Sequence, residues 1–597
     1  MRLVLTGLTV AILSACAASN HDSNGHAQTD PPRASATQPA SQYAVQFATI
    51  ADAAWDYHSA QRHPVDELLD ISPQALQQRH ATRLEFYQQL ENIDPQRLSA
   101  DDRINRHMIM YALANAIDEY EFNAHLMPIT NEYGFHSAMA NLPNQANPRN
   151  REDLENYLNR LRAIPAYFGQ QVAYMRQGLE TGMTQPAVVL EGLTEGILAY
   201  VTSDPRDSVF YRPFAERPRH ISEADFAELE MEAQTIIATQ VNSAYQDFYD
   251  FMRDEYIPNT RQTIAAINLP HGERYYANRA KHYTTTELTP QQIHQIGLDE
   301  VARIRAEMQE VIADSGFNGS FEDFTEYLRS DPKFYAQTAE ELLKEASYIA
   351  KRADAQLPAL FKLLPRQPYG VTEVPAEIAP NYTTGRYSGS NRDDRAGYYW
   401  VNTYALDRRP LYELEALTLH EAVPGHHLQI ALAGEMEGVP SYRQNTYISA
   451  FGEGWGLYAE YLGLEMGFYS DPYSNFGRLS FEMWRAARLV VDTGMHTMGW
   501  SRDRAVDFMA GNTALSMHNV NTEIDRYISW PGQALAYKLG EIKIRELRAQ
   551  AEERLGEHFD IRDFHHQVLR HGSIPLHILE ANLQAYIDEQ VNEHAAL

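Results

Sequence analysis

The sequence predicts a mainly α-helical protein, a large multi-helical body with one small β-sheet, on three observations. The chain has 597 residues, 44% of them hydrophobic, and at this length roughly three quarters of the unfolded surface can be buried. Capped runs of helical periodicity recur along most of it, several longer than about 25 residues. Between Pro365 and Arg409 the texture changes to prolines, glycines and an aromatic, β-branched stretch. Helices that long pack side by side, which argues against a doubly wound sheet.

The N-terminus reads as an address. Met1 and Arg2 precede an apolar run from Leu3 to Leu13, then Ser14-Ala15-Cys16. A short basic start, an apolar segment too short to span a bilayer, and small residues before a cut describe a secretory signal. Leu13-Ser14-Ala15-Cys16 resembles a bacterial lipobox. Residues 1–16 are thus expected to be a lipoprotein signal peptide, with Cys16 the lipidated first residue of the mature chain. Membrane contact is then expected through this lipid anchor only. Ala17 after the cysteine is similar to lipoproteins sorted to the outer membrane of Gram-negative cells, which would face the body toward the periplasm. Residues 17–42, rich in Ala, Ser, Asn, Gln and Pro, are expected to be a disordered tether.

Within the body, Ser72-Pro73 opens a helical run through Asn92, and Ser99 caps one reaching about Leu126. Asn150 starts another carrying Leu154, Leu158 and Leu161. Ser222 to about Tyr256, Thr289-Pro290 to about Ser315 and Thr338 to about Leu364 follow the same pattern. The stretch from Asn381 to Gly389 reads as loop and Gly397 to Tyr404 as a strand. Helical pattern resumes at Tyr412. The expected division is a helical N-terminal lobe at 43–290 and a catalytic lobe at 291–597.

Composition excludes several classes. A formal net charge of −30 opposes binding to nucleic acid or anionic lipid, so no nucleic-acid partner is expected. One cysteine rules out an intrachain disulfide framework and any Cys-based zinc ribbon. Oligomeric state is not legible.

The chemistry concentrates in His420-Glu421-Ala422-Val423-Pro424-Gly425-His426-His427-Leu428-Gln429. In His-Glu-x-x-His, histidines four apart share one helix face and bind one zinc, while the Glu acts on the bound water. Here Pro424 stands where the second histidine belongs. His420 and His426 are six apart, about 9 Å along a straight helix, too far for one metal. Pro424-Gly425 reads as an insertion whose kink or bulge returns the second histidine to the site.

This motif, with Glu453-Gly454-Trp455-Gly456-Leu457-Tyr458-Ala459-Glu460 downstream, resembles the bacterial "domain of unknown function" family number 885. That family is mostly helical and is thought to be related to zinc peptidases such as thimet oligopeptidase and carboxypeptidase Taq. The resemblance implies a thimet oligopeptidase/carboxypeptidase Taq-like body with a small sheet beside the metal helix. It favours His426 over His427 as second ligand, and Glu453 as third. Glu460, seven residues later on the same face, is the alternative ligand or a partner behind the first shell. One zinc per chain is implied. Three protein ligands leave a position for water, whose pKa the metal lowers toward about 7, and Glu421 would take its proton. Donors for the resulting oxyanion are sought in His496, with Asp492 four residues before it to orient it, and in Tyr537. Val401-Asn402-Thr403 is either a buried strand or an exposed edge where Asn402 binds an extended peptide substrate. Arg485, Arg488, Glu523 and Arg526 either hold a substrate terminus or form structural ion pairs. The expected activity is therefore a zinc metallopeptidase acting on oligopeptides outside the cytoplasm. The alternatives are a zinc hydrolase of a non-peptide amide or ester, and a catalytically inactive lipoprotein serving as a binding or assembly module.

Overall fold

A computed structural model describes residues 42–595 except 62, 147, 377, 380, 381 and 391–393. The signal segment, Cys16 and all of the tether but Gln42 lie outside the described residues, and Gln42 already opens a helix, Gln42–Ser59.

The expected helix starts are made by the residues that signalled them. Ser72, Ser99, Asn150, Thr289 and Thr338 each accept a hydrogen bond from the backbone N–H three residues on, at the heads of Pro73–Glu91, Ala100–Glu121, Arg151–Thr181, Pro290–Asp314 and Ala339–Leu360. Each such cap stabilises its helix by about 1 kcal/mol. Two ends fall short of expectation. The run from Ser99 stops at Glu121 because Asn123 turns left-handed (φ 57°) and opens a short 3₁₀ turn, Ala124–Leu126. The run from Thr338 stops at Leu360, where Phe361 is extended. The run from Ser222 continues to Asn259 through two π segments, Ile237–Val241 and Met252–Tyr256.

Three strands form one sheet: β1 (Tyr369–Glu373), β2 (Gly385–Ser388) and β3 (Gly397–Val401), in the order β1-β3-β2. β1 runs parallel to β3 and β2 antiparallel to it. Two expectations are corrected here. β3 is the central strand, so it offers no edge to a substrate. The Asn381 to Gly389 stretch, read as loop, contains the edge strand β2; its four residues alternate between buried and more exposed, as a half-buried strand requires.

The helices that carry the site follow: α1 (Leu414–Glu421), α2 (His426–Gly434), α3 (Ser449–Leu462), α4 (Pro472–Thr497), α5 (Met517–Ser529) and α6 (Ala536–Leu555). α3 and α6 cross at glycines: a Cβ on Gly454 would stand 2.5 Å from Gly540 Cα, so both must lack side chains. One apolar cluster runs from Phe47 in the first helix to Ile587 in the last. Among the described residues no helix is long and apolar enough to cross a membrane.

Candidate metal centre

The Pro-Gly insertion does more than kink a helix. α1 ends at Glu421, Ala422 leaves helical geometry, and α2 begins afresh at His426. Proline cannot donate to the carbonyl of His420. Gly425 lies so tightly over the carbonyls of Leu419 and His420 that any Cβ would overlap them. The loop is pinned from α3, where the indole of Trp455, fully buried, donates to Pro424 C=O at 2.8 Å. Two helices meeting end to end bring the imidazoles of His420 and His426 to 4.7 Å between centroids, at 90°.

Glu453, at the start of the second turn of α3, completes the group. Its Oε2 stands 3.6 Å from His420 Nε2 and 3.5 Å from His426 Nε2. Two ligands bound about 2.0–2.1 Å from a tetrahedral ion lie about 3.4 Å apart, so Glu453 Oε2 already stands from each imidazole at the spacing of two ligands of one metal. Glu421 also comes within reach: donor atoms of His420, Glu421 and His426 lie within 4.8 Å of one another. Glu453 is the nearer carboxylate to both imidazoles, and Glu421 is held aside by the N–H of Tyr387 on β2, which donates to its Oε2 at 2.7 Å. The donor set is two imidazoles and a carboxylate, which suits zinc and several other first-row ions.

The supporting shell is built from buried charge. His420 donates from Nδ1 to Glu460 Oε1 at 2.7 Å, and Arg485 Nη2 lies 3.3 Å from the same oxygen. A carboxylate on the far nitrogen fixes the ring with Nε2 toward the metal position and raises its basicity. Glu453 and Glu460, two turns apart on α3, thus grip opposite nitrogens of one imidazole. Room for that ring is left by Gly456, where a Cβ would come 2.7 Å from His420 Nε2. Burial opposes charge here, but the carboxylates win: hydrogen bonds donated to Glu453 and Glu460 raise the His420 pKa to about 10. Burial likewise pushes the Glu453 carboxyl up, and the imidazoles of His426 and His420 outweigh it, holding it well below the usual carboxylate range.

Other expected site residues fall elsewhere. His427 points away from His426: its Nδ1 shares a 2.9 Å hydrogen bond with the Tyr387 hydroxyl, its ring packs on Tyr369, and burial lowers its pKa to about 4. His496 is corrected from oxyanion donor to core residue. Its Nδ1 accepts from Ala266 N–H at 3.0 Å and its Nε2 donates to Tyr527 C=O at 2.9 Å, so both nitrogens are used. Asp492 does not orient it. Although four residues apart on α4, the two side chains diverge, and Asp492 accepts from Tyr276 O–H (2.6 Å) and Gly532 N–H (3.2 Å). Asn402 is fully buried; its amide donates to three backbone carbonyls, of Ala379, Tyr382 and Thr383, which removes it from substrate binding. Tyr537 lies at the start of α6 beneath the Arg488 guanidinium, 4.2 Å away, with its hydroxyl accepting from Arg526 at 3.3 Å. Arg485, Arg488 and Arg526 are ion-paired, to Glu460 and Glu523.

Sequence reasoning missed Tyr447. Its hydroxyl donates to Glu453 Oε1 at 3.0 Å, and burial, then the Glu453 charge, drives its pKa well up, with Tyr537 also within charge reach. Tyr447 nevertheless exposes 42% of its surface. Tyr447 thus stands between Glu453 and solvent, beside the candidate metal position. The only sequence signal is Gly452, where a Cβ would overlap the Tyr447 ring.

Asp492 carries a prediction about pH. Burial raises its pKa from 3.8 to about 7. Between those values the folded protein holds a proton that the unfolded chain has lost, so this residue favours folding at acid pH and the benefit is lost as pH rises toward 7. Asp492→Asn keeps an acceptor for Tyr276 and Gly532 and should be more stable than wild type at pH 8 and close to it at pH 4. Thermal melts at the two pH values read the crossing.

Among solved structures, a protein assigned as a lipoprotein from Colwellia psychrerythraea is 28% identical, with a TM-score of 0.83 over 92% of this chain and 99% of its own. A second, of unknown function and assigned as a lipoprotein, from Shewanella oneidensis, is 18% identical with a TM-score of 0.69 over 91% of this chain and 100% of its own, a likeness of fold. No curated protein matches the chain. The family profile described as bacterial protein of unknown function (DUF885) matches residues 56–583, the metal-site helices included, and the chain belongs to that family.

Proposed function

We propose that this chain is a zinc-dependent metallopeptidase that hydrolyses oligopeptides outside the cytoplasm, held by lipid on Cys16 to the outer membrane and facing the periplasm. The observation that carries the reading is Glu453 Oε2 at ligand spacing from both His420 Nε2 and His426 Nε2, with Glu421 within reach of the same two imidazoles. The lipoprotein assignment of the Colwellia protein supports the anchor.

His420, His426 and Glu453 would hold the ion, which when bound supplies Lewis acidity and a water of lowered pKa. Glu421 is the base. Its Oε2 is occupied by the Tyr387 N–H, so Oε1 is the atom that takes a proton from water and returns it to the leaving nitrogen. Tyr447 commits its proton to Glu453, so Tyr537, whose hydroxyl accepts from Arg526, is the phenol left to donate to a developing oxyanion.

The test is hydrolysis of a mixed peptide library by the purified full chain, followed by mass spectrometry. Cleavage should stop when a chelator strips the protein and return on adding zinc. Cleavage that survives complete removal of divalent metal would refute the reading.

A further inference from the structure

Arg386 lies on β2 immediately before Tyr387, the residue whose amide holds Glu421. Gly385 and Tyr387 are buried and Arg386 is exposed, so it projects from the opposite face of the strand. There its Nη1 donates to the hydroxyl of Tyr133, from the N-terminal lobe, at 3.0 Å, and the guanidinium lies 5.3 Å from the Tyr382 ring. Burial works against its charge, yet the phenols of Tyr133 and Tyr382 and the carboxylate of Glu421 keep its pKa raised. Arg386 is thus exposed, held beside two phenols, and close enough to Glu421 to feel its charge. Glu132, beside Tyr133, has the same character: exposed, with burial pushing its carboxyl up while Arg526 and Arg386 draw it down from a distance.

What sets Arg386 apart is its partner. Arg485, Arg488 and Arg526 each lie within 4 Å of a carboxylate. Among the described residues Arg386 has no such ion pair, and Tyr133 takes one of the guanidinium's five N–H donors. An exposed guanidinium with N–H donors to spare, one residue from the amide that holds Glu421, matches a carboxylate in bidentate geometry. Resting on the peptidase reading above, we propose that Arg386 is a specificity-determining residue that takes a carboxylate of the bound peptide, the C-terminal one or an acidic side chain. Adjacent Cα atoms are about 3.8 Å apart, so the carboxylate is held within a few residues of the carbonyl that Glu421 serves. Tyr133 braces the guanidinium from the other lobe.

The experiment uses short acetylated neutral peptides prepared as free acids, as C-terminal amides, and as amides carrying one Glu at successive positions. Wild type should prefer a carboxylate form over the neutral amide through KM. In Arg386→Gln that preference should collapse by about ten- to a hundred-fold. Preference for the free acid assigns the C-terminal carboxylate; rescue of the amide by an internal Glu assigns a side chain. Equal use of all forms by wild type, or an Arg386→Gln variant that slows acids and amides alike, overturns the proposal. The same peptides titrated by calorimetry into Glu421→Gln and into Glu421→Gln/Arg386→Gln read binding without turnover. If wild type cleaves nothing, the peptidase reading fails while calorimetry still decides Arg386: equal heats for acid and amide overturn it.

Discussion

Glu421→Gln should retain its metal and lose hydrolysis, with kcat down about a thousand-fold. The amide keeps an oxygen to accept from Tyr387 N–H, so the side chain stays in place, but it cannot take a proton. General-base catalysis contributes about 10²–10⁴-fold, and a group acting only in proton transfer lowers kcat with little effect on KM. Because His420, His426 and Glu453 hold the ion without it, metal content should match wild type. Steady-state kinetics on a peptide found in the library, with metal analysis of the same sample, separates a lost base from a lost ligand. A variant that loses metal in step with activity would place Glu421 in the ligand set.

Glu460→Ala should give the largest loss of stability. The carboxylate is buried, receives His420 Nδ1–H at 2.7 Å, and faces Arg485 at 3.3 Å. Removing one member of a buried pair leaves the other charge without compensation, at a cost of about 3–5 kcal/mol. The same change frees the His420 ring to rotate, and loss of such a second partner costs about 10–100-fold in metal affinity. Urea unfolding and competitive metal titration should move together. Glu460→Gln, which keeps an acceptor for His420 and drops only the charge, should fall between wild type and Ala on both.

What the sequence made legible follows the range of the interactions. Caps at Ser72, Ser99, Asn150, Thr289 and Thr338 depend on a backbone N–H three residues away, so residue type and position suffice. The metal motif is local for the same reason: His420, Glu421, Pro424, Gly425 and His426 fall within seven positions, and a proline against the carbonyl of His420 fixes what the chain must do. Glu453 and Glu460 needed the family resemblance, since nothing in their spacing from His426 says which nitrogen each will meet. His496 misled because the four-residue spacing from Asp492 suggests a pair, whereas its partners come from Ala266 and Tyr527. Asn402 misled because its amide satisfies carbonyls of a loop folded over the sheet. Arg386 gave no signal, because its partner Tyr133 comes from 253 residues earlier in the chain, and Tyr447 gave only the bare Gly452 against its ring.

The acidic balance finds a partial place in this picture. Carboxylates of Glu421, Glu453 and Glu460 are committed to the metal site, and Glu482 and Glu541 to buried Lys538; these are structural charges. The remainder of the −30 is assigned to solubility.

The central claim is that His420, His426 and Glu453 bind one metal and that His427 does not. The direct measurement is divalent metal per chain, by elemental mass spectrometry, in wild type, His426→Ala and His427→Ala after equal exposure to zinc. The expected result is about one, close to none, and about one. Equal occupancy in wild type and His426→Ala, or no tightly held metal in wild type, would contradict it.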